Sequence, residues 1–477
     1  MIYRKLLSFT IALALALSLS ACDLLDVEPA QSVDAEGVFD SAQAAESAMN
    51  GVYDGVQASG VYGGFFTKMA DFTSNNGNFS GSFTTYQSAR DFGKLASHGP
   101  AQNMWSGHYT AINRANNVIE QVPELVESGV DPDADEALEN RLVGEATFVR
   151  ALMHFNLVRL YAEPYEPGVS NTQDGVPLVT SRTESPEDEL EIPRSTVEEV
   201  YSQIVEDLET AQSLMDPSST GIRASEGAAT ALLAKVRLYQ GEYAEAASLA
   251  DEVIGSGVYS LDDPVSVFDQ QGGSSEAIFA VRYTADDNTG VNDFPSSFYL
   301  PQDIGGRGDI RVTSDLLALI EDDDLRGPAG LMYGFDDGGV GACEVGPDCN
   351  AWTAKWDSPQ NDDDALVLRL SEMYLIAAEG WARTGNDDDA RNYLNDIREQ
   401  ANASEIESDV EGSDLIDAII QERRVELAFE GDWRHDVIRR GAPLVSSTGT
   451  ADEEQRIFPI PQRDRDVNDE LTQNPGY

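Results

Sequence analysis

Cysteine, histidine and lysine are scarce in this chain: three, four and five residues among 477. A structural zinc site needs four Cys or His ligands at short spacing. Here no C-x2-C occurs, and His98, His108, His154 and His435 stand at no ligand spacing, so neither a metal nor any other cofactor is expected. Cys343 and Cys349 lie in a Gly/Pro loop, where in an oxidising compartment such a pair can close as a disulfide. A loop that small would add less than ~3 kcal/mol. Positive charge is the larger deficit. Lys and Arg total 31 against 85 Asp and Glu, a formal net charge of -54 spread along the whole chain. Phosphates would be repelled, which excludes nucleic acid, and an anionic lipid surface is disfavoured in the same way. Repulsion on this scale is tolerable where salt screens it, the Debye length being ~3 Å at 1 M. The composition therefore fits a halophilic protein, and runs such as Asp362-Asp363-Asp364 and Asp387-Asp388-Asp389 read as solvated surface.

Long apolar runs are nearly absent too. The exception is Leu6 to Leu19, behind Arg4 and Lys5. Fourteen residues of helix cover ~21 Å, short of a ~30 Å hydrocarbon core, so the run reads as a secretory signal rather than a span. Leu19-Ser20-Ala21-Cys22 resembles a bacterial lipobox, in which Cys22 is acylated and becomes the mature N-terminus. An ordinary signal peptide with a chance cysteine is the alternative. The expectation is a lipoprotein signal over 1–21 and attachment to membrane only through lipid on Cys22.

What the chain does have is helical periodicity. Leu138, Leu142, Ala146, Val149, Met153, Leu157 and Leu160 form one buried stripe, and Val197, Val200, Ile204, Leu208, Ala211 and Leu214 another. Ser195-x-x-Glu198 predicts a capping box at the start of the second. Helices are expected near 103–122, 136–162, 196–215, 227–239, 243–255, 366–383, 390–400 and 413–430, enough for four stacked hairpins. Gly241 with Ala246, and Gly385 with Ala390, put a turn glycine and a small residue at two similar joints, an arrangement that resembles the tetratricopeptide helix-turn-helix. The fold class is therefore mainly α, four such hairpins in a superhelix with a long insertion of loops and short strands. The expected divisions are 22–102 (acylated segment and aromatic loops), 103–256 (first helical part), 257–365 (insertion), 366–440 (second helical part) and 441–477 (extended tail). Ala277 to Val281 is an expected strand. So much ordered non-helical chain usually serves function.

Catalytic signatures are missing: no G-x-S-x-G, H-E-x-x-H, P-loop or G-x-G-x-x-G. Asp131-x-Asp133-x-Asp135 begins like an EF-hand, but Glu136 takes the glycine position and Leu142 the glutamate position. No enzyme is expected, although a glycosidase needs only two carboxylates and this chain has many. Aromatics are better site candidates. Rings in the non-helical chain, including Tyr62, Phe65, Phe66, Phe79, Phe298, Tyr333, Phe335 and Trp356, can pack on sugar rings or peptide side chains. Tyr239, Tyr374 and Trp381 fall in helical period and are expected in the core.

Several blocks together resemble the SusD/RagB family of lipoproteins. They are Cys22-Asp23-x-x-Asp26-x-x-Pro29, Glu145-Ala146-x-Phe148-x-Arg150-Ala151, Gly175-Val176-Pro177-Leu178-Val179 and Pro193-Arg194-Ser195-Thr196-Val197, with the stretch Ala228 to Ile254. Later come Glu422-Arg423-Arg424-x-Glu426-Leu427-x-Phe429-Glu430-Gly431 with Asp436 and Arg439, then Phe458-Pro459-Ile460-Pro461 and Gln473-Asn474-Pro475-Gly476-Tyr477. Trp433-Arg434-His435 departs from the pattern, which would put Arg ahead of an aromatic pair. The resemblance implies an outer-membrane nutrient-binding lipoprotein facing the exterior, set as a lid on a SusC-like TonB-dependent transporter and capturing oligosaccharides or peptides. The glutamates and arginines of 422–430 are expected to form an ion-paired helix face, with Pro459, Pro461 and Pro475 pinning an extended tail.

The ligand site is expected where 60–100 meets 257–365. Trp352 is the first candidate, followed by Phe83, Tyr86 and Tyr299, with Arg307 and Arg311 as hydrogen-bond donors. A lipid-anchored hydrolase and an envelope scaffold without a small ligand are the rival classes.

Overall fold

The computed structural model describes residues 39–183, 192–217, 221–336, 339–340 and 350–477. Cys22, Cys343 and Cys349 lie outside the described residues, and the lipidation and disulfide expectations with them. The principal helices are α1 (Ala42–Gln57), α2 (Phe65–Phe72), α3 (Thr84–Arg90), α4 (Gly99–Ser128), α5 (Glu136–Tyr161), α6 (Val197–Leu214), α7 (Glu226–Gln240), α8 (Tyr243–Gly255), α9 (Leu370–Arg383), α10 (Asp387–Gln400), α11 (Gly412–Glu426) and α12 (Trp433–Arg439). Each long helix packs on the next: α1 on α4, then α4 on α5, and so on through α8, which packs on α9; α9 in turn touches α10 and α11. The result is a mainly α superhelix of tetratricopeptide-like hairpins. Among the described residues, no helix is long and apolar enough to cross a membrane.

Local chemistry explains these elements. Asp135 caps α5 and Ser225 caps α7 through their side-chain oxygens. Gly241 closes α7 at φ 78°, and Gly385 follows α9 at φ 85°, a left-handed conformation that costs glycine little. Ala246 and Ala390, one turn into each partner helix, are fully buried. Three expectations are corrected. The capping box at α6 is formed by Thr196 and Glu199, one residue later than Ser195 and Glu198, because Ser195 is spent pairing its backbone with Gly175 and Val176. Helix α4 runs through Pro123 to Ser128; burial of Val122 and Leu125 offsets the hydrogen bond that proline removes. Helices α1, α2 and α3 lie in chain that carried no helical expectation. In α1, Ala45, Met49, Val52 and Val56 repeat at helical spacing and are all buried. The Asp131 turn holds its own chain: its carboxylate accepts Ala42 N at 2.8 Å and Asp133 N at 3.0 Å.

Seven strands concern the insertion: β1 (Gly77–Phe79), β2 (Ala277–Val281), β3 (Ile310–Val312), β4 (Met332–Asp336), β5 (Gly339–Val340), β6 (Asn350–Thr353) and β7 (Ala365–Arg369). β1 pairs antiparallel with β3, β2 with β7, and β4 with both β5 and β6.

A buried layer of ion pairs fastens the insertion to the helices. Arg326, Lys355 and Arg369 converge on α11 and the turn after it: Arg326 on Glu422 and Glu426, Arg369 on Glu426 (2.7 Å) and Glu430 (2.8 Å), Lys355 on Glu430 (2.6 Å). All of these side chains are almost completely buried. Burial alone would raise the Glu426 carboxyl; Arg369, then Arg326 and Lys355, outweigh it and bring it down to about 2. The family-like arginines work similarly. Arg150 takes Asp207 with two bonds of 2.8 and 2.7 Å, and Arg439 bridges Asp436 and Glu379. Arg434, at the departure from the family pattern, is buried over the Phe458 ring and donates to the Arg456 carbonyl. The tail is tied down at the end of α5: Phe458 N donates to Leu160 O at 2.8 Å, and Asn474 Nδ2 bridges the carbonyls of Tyr161 and Phe458.

Candidate functional site

The loop segment after α2 and the insertion meet through β1 and β3, in the register Gly77–Val312, Asn78–Arg311 and Phe79–Ile310. Ser80 N extends the pairing to Asp309 O at 2.7 Å. This register places Phe83, just beyond β1, beside the turn that carries Arg307. The Arg307 guanidinium lies 4.6 Å from the Phe83 ring centre and 5.0 Å from that of Phe298, and its Nε donates to Asp309 at 2.9 Å. Phe83 is half-buried and its partner Arg307 keeps 32% of its side chain exposed.

Trp352 sits on the neighbouring strand β6, opposite Tyr333 of β4. Its indole N–H donates to the Gly308 carbonyl at 3.2 Å, and Arg311 lies 5.2 Å over its ring. Arg311 also donates to Asn350 at 3.2 Å. Phe83, Arg307, Trp352 and Arg311 therefore form one patch around Gly308. Trp352 is not the open ring expected of it, since only 9% of it is exposed. The indole N–H bond to Gly308 ties the ring down, and Arg311 covers it.

The remaining two candidates lie beneath the surface. Tyr86 is buried between Phe83, Phe65, Phe79 and Phe298. Tyr299 is fully buried well inside the insertion, where its hydroxyl donates to Asp71 and its ring meets Phe429 and Trp356. Burial raises the Asp71 carboxyl to about 7, against the hydrogen bonds from Tyr299 and Phe429 N. Of the helix aromatics, Tyr239 is buried, whereas Tyr374 and Trp381 pack on the core with part of their surface exposed.

Lys68 belongs to this region and has no sequence signature beyond being one of five lysines, set in Phe65-Phe66-Thr67-Lys68. Its ammonium is fully buried 3.7 Å from the Phe298 ring centre, with Tyr86 and Phe65 at 5.4 and 5.5 Å. It donates to the Asp293 carbonyl. Burial pushes it well below the ordinary lysine range, with Asp293 opposing. The patch thus has a rigid floor of rings around a buried cation, and an outer layer of one half-open ring and two guanidiniums. Such a surface can stack an apolar ring face and donate several hydrogen bonds at its edge.

Two family models match the chain: residues 23–238 fit one described as "starch-binding associating with outer membrane", and residues 346–477 fit the SusD family. The chain belongs to the SusD/RagB family. SusD-like protein P38 of Formosa agariphila is 24% identical over 99% of this chain and 98% of its own length. A SusD superfamily protein of Bacteroides vulgatus is 27% identical, with a TM-score of 0.79 over 92% of this chain and 100% of the other. Another from Bacteroides thetaiotaomicron is 26% identical, with a TM-score of 0.77 over 91% and 100%. Membership in this SusD/RagB family supports a nutrient-binding role and association with the outer membrane.

Proposed function

We propose that this SusD-like chain is a cell-surface lipoprotein, anchored through acylated Cys22, that captures oligosaccharides and passes them to a SusC-like TonB-dependent outer-membrane transporter. The patch of Phe83, Arg307, Arg311 and the edge of Trp352 is the ligand-contacting surface in this reading, with Tyr86 and Tyr299 supporting it from below. The observation that carries it is the half-open Phe83 ring, backed by Arg307 and set on a fully packed aromatic floor. A ring held rigid before the ligand arrives loses little entropy on binding. The family description of starch binding favours oligosaccharide over peptide as the ligand.

Phe83→Ala tests this. Titrated calorimetrically with the oligosaccharide that binds the unaltered chain, the variant should bind more weakly by ~1–3 kcal/mol, the range for an anchor ring, with its melting temperature little changed. Unaltered affinity would place the site elsewhere.

A further inference from the structure

The cations of this acidic chain are mostly consumed by its own acids, as Arg326, Arg369, Arg423 and Arg439 show. Arg311 is different. It is exposed, its guanidinium is held over Trp352 and bonded to the neutral Asn350, and among the described residues it makes no ion pair. Arg307 gives Nε to Asp309, while its terminal nitrogens donate to no described residue. Arg311 is oriented by a ring and a neutral amide, and Arg307 by two rings and, at Nε alone, by Asp309, so their remaining N–H groups are available without breaking a salt bridge. The surplus of acids elsewhere would repel a diffuse anion. A negative group is therefore held only where a preset fork meets it.

We propose that the glycan taken by this face carries a negative charge on the sugar ring, a carboxylate or a sulfate, received by Arg311 with Arg307 beside it. This rests on the ligand-site reading above. The two oxygens of a planar carboxylate, or two oxygens of a tetrahedral sulfate, can pair with the guanidinium fork, and such charge-assisted bonds are the stronger ones. A neutral hydroxyl brings no opposite charge and only a single oxygen, so it cannot pair with the fork bidentately. Asp309, the acid at the centre of the patch, is already engaged by Arg307 and leaves Arg311 unopposed there.

The test is a binding panel with the full chain at one salt concentration: trigalacturonate and its methyl ester, a 6-sulfated galactose trimer and its unsulfated counterpart, and an acidic peptide. One charged sugar should bind about tenfold or more tightly than its neutral partner, the effect of one charge-assisted bond. Which one it is separates carboxylate from sulfate. Arg311→Gln should abolish that preference, Arg311→Lys should keep part of it, and neither should shift the melting temperature. Neutral sugars bound as well as charged ones, or a loss in Arg311→Gln that is equal for both forms, would overturn the inference and leave the ligand site standing. Binding of the peptide alone, or of nothing in the panel, would overturn both.

Discussion

Glu426 shows what single residues do in this protein. A carboxylate with no access to water would ordinarily be a liability, yet it faces Arg369 at 2.7 Å and Arg326 at 3.0 Å. Removing one partner of a buried network leaves the others uncompensated, typically at a cost of ~3–5 kcal/mol. Glu426→Gln is expected to lose that much in chemical denaturation, and more than Glu245→Gln, whose carboxylate is half exposed beside Arg237. The pH sign follows from the depressed value: about 2 when folded against 4.5 ordinarily. Unfolded chain binds the proton first as pH falls, so the stabilisation from Glu426 is complete above 4.5 and is lost towards about 2. Between pH 4.5 and 2 the stability of Glu426→Gln should therefore fall less steeply than that of the unaltered chain. The ion-paired character of this helix was legible in Glu422 to Glu430. Its partners were not, because Arg326, Lys355 and Arg369 come from distant chain.

At the scale of elements, close approach of helices sets the demands. A Cβ on Gly380 of α9 would stand 2.5 Å from the Tyr243 carbonyl and 2.8 Å from Ala247 Cβ of α8. Alanine is the better helix former by ~1 kcal/mol, but a clash with backbone has no cheap relief, and overpacking costs ~1–3 kcal/mol. Gly380→Ala should therefore lower the melting temperature. Gly51→Ala, in α1 with nothing within 4 Å of the new methyl, should raise it; matching shifts in thermal unfolding would contradict this packing. Strong periodicity made the long helices readable, and the paired glycines marked the hairpin joints. The site was less readable. Phe83 and Arg307 meet only because β1 pairs with β3 across more than two hundred residues, and no local pattern encodes that register. Ring orientation is equally non-local: Tyr86, Tyr299 and Phe83 look alike in sequence, and packing decides that only Phe83 is left half open.

For the whole molecule, charge outweighs every local term in reach. With 85 acids against 31 cations, 54 acids would lack a partner even if every cation took one. Arg326, Arg369 and Arg439 each take two or more, but they do so in the interior, where bulk salt screens little. The unpaired acids lie mainly on the surface, as the exposed Glu405, Glu407 and Asp409 illustrate, and there repulsion extends over about 10 Å at ~0.1 M salt and about 3 Å at ~1 M. Compacting the chain brings these charges together, so screening should favour the folded state over the unfolded one. The melting temperature is expected to rise by several degrees between dilute buffer and about 1 M sodium chloride. Calorimetric scans in sodium chloride and in a non-ionic osmolyte at matched osmolality separate screening from general exclusion at the surface. A rise seen equally in both would assign the effect to exclusion, and a flat sodium chloride curve would mean that surface repulsion contributes nothing to the stability of this fold.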